Sequence, residues 1–165
     1  MVDITLEAGD GYFCYTVRAI IINENRVLMV KNDNYPYYYC VGGRVKFGET
    51  TEEAALREVR EETGIEFEID RLAFIYENFF EADFLDNKPF HEVSLFFLMK
   101  ANADIENIYC NSVGADGGKE SLHWLPIEEL SSYHMFPEFF KTELKALKNE
   151  VGRFVTKNGN TYRLA

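Results

Sequence analysis

The stretch that most constrains this chain is residues 43–65, GRVKFGETTEEAALREVREETGI. A glycine pair, Gly42 and Gly43, leads into it, and Thr50 and Glu53 stand at capping-box spacing, so a helix is predicted to start at Thr50. Gly64 is the residue type that ends a helix, because it enters the left-handed conformation without steric cost. Between these signals Glu58, Glu61 and Glu62 fall at i, i+3 and i+4, and at about 100° per residue they share an arc roughly 100° wide. Like charges at that spacing repel, and in the C-terminal half of a helix the dipole disfavours them too. Ala55, Leu56 and Val59 occupy the neighbouring arc and are expected to anchor the helix to a core.

Two readings fit the acidic cluster. Most charge runs of this kind are a solvated helix face. Alternatively a hard divalent cation turns repulsion into chelation, since Mg²⁺ or Mn²⁺ prefers carboxylate oxygens. Arg57 directly precedes the first of these acids and is placed to pair with Glu49 or Glu62, holding a carboxylate in one orientation.

The specified positions run Gly43, five free residues, Glu49, seven free residues, Arg57-Glu58-Val59, one free residue, Glu61-Glu62, one free residue, Gly64-Ile65. This pattern resembles the box of the Nudix (MutT-like) hydrolase family, with every defining position filled, and so many fixed positions make the match specific. The resemblance implies an α/β (α+β) fold in which a mixed β-sheet is sandwiched between helices and a loop-helix-loop motif carries catalysis. It implies a metal-dependent diphosphohydrolase that cleaves a nucleoside diphosphate derivative with Mg²⁺ or Mn²⁺. On this resemblance Glu58, Glu61 and Glu62 are metal ligands, Arg57 is the orienting cation, and Glu49 is an accessory acid of the metal set or the partner of Arg57. Gly42, Gly43, Arg44 and Tyr39 are expected at the substrate. Independently of the family, a diphosphate resists attack because its oxygens repel nucleophiles, so its hydrolysis needs clustered cations and a positioned water. A nearby carboxylate then accepts the proton.

Composition limits the partners. A chain of 165 residues that is 47% hydrophobic can bury one real core, and a single domain over 1–165 is expected. The net charge of -11 argues against general binding of nucleic acid or of an anionic membrane, whereas a polyphosphate remains compatible because bound metal reverses the local sign. Cys14, Cys40 and Cys110 show neither disulfide nor zinc spacing and read as buried thiols. Asp3, Glu7 and Asp10 break any early apolar run, so no signal peptide is read, and a soluble cytoplasmic protein is expected.

Along the chain, residues 12–22 are aromatic and β-branched, 23–25 read as a turn and 26–31 as a returning strand, predicting a hairpin beneath the helix. Tyr37, Tyr38 and Tyr39 offer a stacking surface for a base, yet alternation along a strand puts at least one of them in ordinary core. Strands are expected within 66–80 and 90–100, joined by a polar loop whose Asp83 and Asp86 read as metal-competent or simply solvated, and His91 reads as a surface or strand-edge residue rather than a base. Residues 102–119 form a long glycine-bearing loop leading to Glu120 and Trp124. In the family a loop carboxylate at this point often joins the metal site or acts as base, so Glu120 is a candidate for that role or a surface acid.

Residues 137–149 pattern as an amphipathic helix with Phe140, Leu144 and Leu147 on one face. Asn158-Gly159 predicts a terminal hairpin that extends the sheet or meets a second copy in a homodimer. Residues 74–84 lack the proline that resembles the ADP-ribose branch of the family. Two other functions stay open on the same fold: a catalytically silent ligand-binding or regulatory module, and a diphosphate isomerase.

Overall fold

The computed structural model describes residues 1–82, 87–109, 113, 114 and 117–165. Among the described residues lie a seven-stranded mixed sheet and a smaller four-stranded sheet. The large sheet contains β1 (Thr5–Ala8), β2 (Gly11–Ile20), β6 (Gly42–Arg44), β7 (Ile69–Ala82), β8 (Lys88–Met99), β10 (Gly152–Lys157) and β11 (Asn160–Leu164). The small sheet contains β3 (Ile22–Asn23), β4 (Arg26–Asn32), β5 (Tyr38–Tyr39) and β9 (Glu120–Pro126).

The centre of the large sheet is a long parallel pairing of β2 with β8, from Tyr12 opposite Phe90 to Ile20 opposite Leu98. The other edge of β2 is shared: β1 pairs with its first half and β6 with its second. The hairpin predicted over residues 12–31 is therefore much shorter than expected. β2 leaves the large sheet at Ile20, and only β3 folds back on β4, through Ile22 opposite Val27 and Asn23 opposite Arg26. Glu24 and Asn25 turn it, both at positive φ (47° and 60°), as the twist of a tight hairpin requires.

One helix, α1 (Thr51–Thr63), covers one face of the large sheet. It buries Ala54, Ala55, Val59 and Thr63 against Val17, Ala19 and Phe97. Leu56, expected in that contact, is exposed: the buried arc runs from Ala54 through Ala55 and Val59 to Thr63, and Leu56 falls beyond its outer edge. The opposite face packs Phe74, Tyr76 and Phe96 against Phe139, Phe140 and Leu144. The latter come from α2 (Phe140–Glu143) and the 3-10 turn after it (Leu144–Ala146), so the amphipathic segment is a single turn continued as 3-10 rather than a full helix. The sheet is thus held between helical layers. β10 joins β7 in parallel and β11 returns against it, so the terminal hairpin extends the large sheet. No described helix is long and apolar enough to cross a membrane.

Candidate active site

α1 starts where its sequence says. The Thr50 side chain accepts from the Glu53 N–H at 3.2 Å, the Glu53 carboxylate accepts from the Thr50 N–H at 2.8 Å, and Gly64 closes the helix at φ 73°. The reciprocal cap stabilises this end by about 1 kcal/mol. The helix is pressed against the glycine pair. Gly42 sits at φ 135°, where a side chain would strike the Val17 carbonyl, and a Cβ on Gly43 would lie 2.7 Å from the carboxyl atoms of Glu58. Glycine at both positions lets β6 approach the acidic arc to within contact.

Arg57 is the hub of that arc. It grips Glu49 through Nε at 3.1 Å and Nη2 at 2.7 Å, reaches Glu58 at 2.5 Å and Glu61 at 3.4 Å through Nη1, and donates to the Arg44 carbonyl at 3.2 Å. Glu49 also accepts from the Lys46 N–H at 2.6 Å. Its hydrogen bonds to Arg57, then to the Lys46 amide, hold the Glu49 carboxyl below the usual range. The expected pairing of Arg57 with Glu62 is not formed: Glu62 lies toward the sheet, beyond the fork of a guanidinium already spent on three other carboxylates, and accepts instead from the Gly42 N–H at 3.1 Å.

Glu62 is drawn in against the glycine pair. Burial first, then the like charge of Glu58 and Glu120, pushes its carboxyl up to about 8, against the pull of the Gly42 amide and Arg18. Burial also raises Glu58, with Arg57 opposing. From across the site Glu120, the first residue of β9, accepts a 2.6 Å hydrogen bond from the Tyr39 hydroxyl. Burial and this carboxylate push the phenol well above its ordinary value. Glu61 is exposed and reaches the group only through Arg57.

The remaining expected residues are placed as follows. Arg44 lends its carbonyl to Arg57 while its guanidinium lies 3.8 Å from Asp3, on the N-terminal segment. His91, on β8 between β2 and β7, is a surface residue and not an edge one: its side chain is partly exposed and pairs with Glu77 at 2.7 Å. Cys14 and Cys40 are free and buried. Asp83, Asp86 and Cys110 lie outside the described residues. Two charged residues close to the site were not singled out from sequence. Arg18 donates to the Gly42 carbonyl at 2.9 Å and lies 3.5 Å from Glu92. Isolated charges inside the aromatic runs of two strands carry no local signal, and only the parallel pairing of β2 with β8 brings them together.

Among the described residues no three His, Cys, Asp or Glu side chains are already gathered as a finished cation cage. The donor set nevertheless fits a hard divalent ion. Glu58 and Glu62 offer carboxylate oxygens beside the same glycine pair, and Glu62 is crowded by like charge that a cation would relieve.

The model of the NUDIX domain family matches residues 13–147. An ADP-ribose pyrophosphatase of Methanocaldococcus jannaschii is 41% identical over 63 residues, a stretch covering 36% of this chain and 37% of that protein. The match thus spans little more than a third of that relative's length. Among solved structures, the MutT protein from Bacillus halodurans superposes with a TM-score of 0.63 at 20% identity, covering 92% of this chain and 95% of that one. A MutT protein from Methanosarcina mazei Go1 gives 0.59 at 20% identity over 86% and 96%. At such identities these two structures speak for the fold alone, and it is the same fold. With the family model spanning most of the chain and the complete box mounted on the capped helix α1, this protein belongs to the Nudix family.

Proposed function

We propose that the protein is a metal-dependent diphosphohydrolase that cleaves a nucleoside diphosphate derivative, such as a nucleoside triphosphate or a nucleotide sugar, by attack of water at phosphorus. One observation carries this reading: Glu58 and Glu62 are partly buried carboxylates set against Gly43 and Gly42, with Arg57 holding the helix side of the pair. A purely structural helix face has no reason to bury acids against acids.

Glu58, Glu61 and Glu62 are the residues that would hold the ion. Bound Mg²⁺ or Mn²⁺ supplies charge neutralisation for the diphosphate and a more acidic water. The two-point grip of Arg57 on Glu49 fixes the guanidinium, which in turn orients Glu58. Since Glu49 is engaged on both oxygens, its bonds favour the role of Arg57's partner over that of a ligand. The glycine pair lets phosphate oxygens approach the backbone. Glu120, held in place by the Tyr39 hydroxyl, is the carboxylate positioned to take the proton from the attacking water. No side chain is asked to become covalently attached. The enzyme acts in the cytoplasm on small nucleotides, and neither nucleic acid nor a membrane is needed as partner.

The test is turnover of a panel of nucleoside triphosphates, nucleotide sugars and ADP-ribose with Mg²⁺ or Mn²⁺, in ¹⁸O water, read by phosphorus NMR. Label on one phosphate product is the expected result. Tight binding without cleavage would favour the silent module, and rearrangement without label would favour the isomerase.

A further inference from the structure

A chain of polar groups runs through the large sheet to the glycine pair, and its members on β2 and β8 lie outside the acidic box. Thr16 and Ser94, opposite each other in the β2–β8 pairing, are both buried, with their hydroxyls 2.6 Å apart. The Ser94 hydroxyl donates to Glu92 Oε1 at 2.8 Å, so Thr16 is the donor within the hydroxyl pair. Glu92 Oε2 lies 3.5 Å from Arg18 Nη2, and Arg18 Nη1 donates to the Gly42 carbonyl at 2.9 Å. On its amide side Gly42 donates to Glu62 Oε1 at 3.1 Å. Each group meets one neighbour with one atom and the next neighbour with another, from two buried hydroxyls to an acid of α1.

Stability alone does not call for such a chain. The Arg18 and Glu92 side chains are 22% and 15% exposed, and a charged pair so far withdrawn from water carries a desolvation cost that an apolar pair avoids. What the chain reaches is a backbone that needs holding. The β2–β6 register sets Arg18 opposite Gly42, and a Cβ on Gly42 would lie 2.2 Å from the Val17 carbonyl, so only glycine lets the two strands come this close. Gly42 sits at φ 135°, and a glycine has many other conformations open to it. The peptide that joins Gly42 to Gly43 lies between two acids, with the Gly42 N–H on Glu62 and the Gly43 Cα against the Glu58 carboxyl. A donor on the Gly42 carbonyl restrains that peptide from rotating away from both.

We propose, resting on the diphosphohydrolase reading, that Arg18 is a positioning residue: oriented by Glu92, it fixes the Gly42–Gly43 peptide and through it the Glu62 carboxylate for the divalent ion. A guanidinium at this place has two effects on metal binding, and they differ in sign. As a charge it repels an incoming cation, so its removal would tighten binding. As a donor it holds the peptide, so its removal frees the Gly42 amide from Glu62 and loosens the site. Glu92, 3.5 Å away, offsets much of the charge. Hydrogen bonds that orient a ligating carboxylate are worth on the order of tenfold or more in metal affinity, and the donor effect therefore prevails.

The experiment is titration of the protein with Mn²⁺ by calorimetry, with the Gly42 amide proton followed by NMR before metal is added. Arg18→Met keeps an apolar stem and removes every donor; it should raise the Mn²⁺ Kd by on the order of tenfold and move the Gly42 amide proton upfield as its bond to Glu62 is lost. Arg18→Lys, which keeps the charge and a donor, should recover part of both. Glu92→Gln should change both readouts in the same direction, and the double variant should bind no more weakly than Arg18→Met, because Glu92 acts through Arg18. An unchanged or lowered Kd in Arg18→Met, or an unmoved Gly42 signal, overturns the positioning role. Losses that add in the double variant remove Glu92 from it. If the parent cleaves diphosphates under either result, the hydrolase reading stands alone. If the Gly42 signal responds as expected but the parent neither binds Mn²⁺ nor cleaves a diphosphate, the hydrolase reading falls and takes the metal role with it, leaving only the peptide anchor.

Discussion

At the scale of single residues, the acids of α1 and of the loop before it divide into supports and working groups. Glu49 is bound on both oxygens and Glu58 on one by Arg57, whereas Glu61 is mostly exposed and touches only one guanidinium nitrogen. Glu61→Gln therefore disturbs little packing, and its melting temperature should stay within about 2 °C of the parent, as for most surface changes. If the carboxylate belongs to the metal set, kcat with saturating Mg²⁺ should nevertheless fall by on the order of 100-fold. Unimpaired kcat would remove Glu61 from the ligand set. Cys40 lends itself to a chemical test. Burial, despite nearby Arg18, pushes its thiol up to about 12. A raised thiol pKa keeps the nucleophilic thiolate scarce until the pH approaches that value. Iodoacetamide at pH 8.5 should thus leave Cys40 unmodified in the native protein and alkylate it in urea, as mapped by mass spectrometry. Rapid native labelling would mean that the core around Cys40 opens in the folded protein.

At the scale of elements, the structure shows which parts of the fold a one-dimensional reading can reach. The helix was legible because its signals are local: Thr50 and Glu53 cap it within one turn, and Gly64 ends it regardless of what lies around it. The Asn158-Gly159 turn was legible for the same reason, with both residues at positive φ. Arg18 and Glu92 were not, since what gives them meaning is a parallel pairing between strands far apart in sequence, and parallel pairing leaves no local trace. The exposure of Leu56 was missed because helical periodicity places an apolar arc without fixing which edge of it the sheet will cover. Gly64 gives this level its prediction. At φ 73°, alanine costs about 1–2 kcal/mol in strain, and its Cβ would also meet the ring of Tyr109. Gly159→Ala has a similar φ of 74° with open space around it, so it carries strain alone. Thermal melts should rank Gly64→Ala as the more destabilised of the two. The reverse order would show that Tyr109 yields freely and that the C-terminal end of α1 is not pinned by it.

At the scale of the whole molecule, the family match ends at residue 147 while the large sheet continues through β10 and β11. These strands are built into the core. Phe154 of β10 stacks on Phe139 with centroids 4.2 Å apart and planes within 4°, and it meets the edge of Phe74 at 5.7 Å. Gly152 is where it is because a Cβ would press on the Phe74 ring. Phe139 in turn packs on Tyr76 and Phe96, on the face of the sheet that also carries Arg18 and Glu92. The terminal strands therefore brace the helical layer that follows Phe136, on the side of the sheet opposite α1. Phe154→Ala should cost about 3–5 kcal/mol, as for a large aromatic removed from a packed site. Because the acids of α1 are held by β6 and Arg57 on the other face, the loss should fall on stability rather than on the acidic cluster. Well below its lowered melting temperature, the variant is expected to keep both kcat and KM close to those of the parent. A matched fall in kcat at unchanged KM would instead mean that the terminal hairpin supports the carboxylates through the sheet, and that the two faces are mechanically coupled.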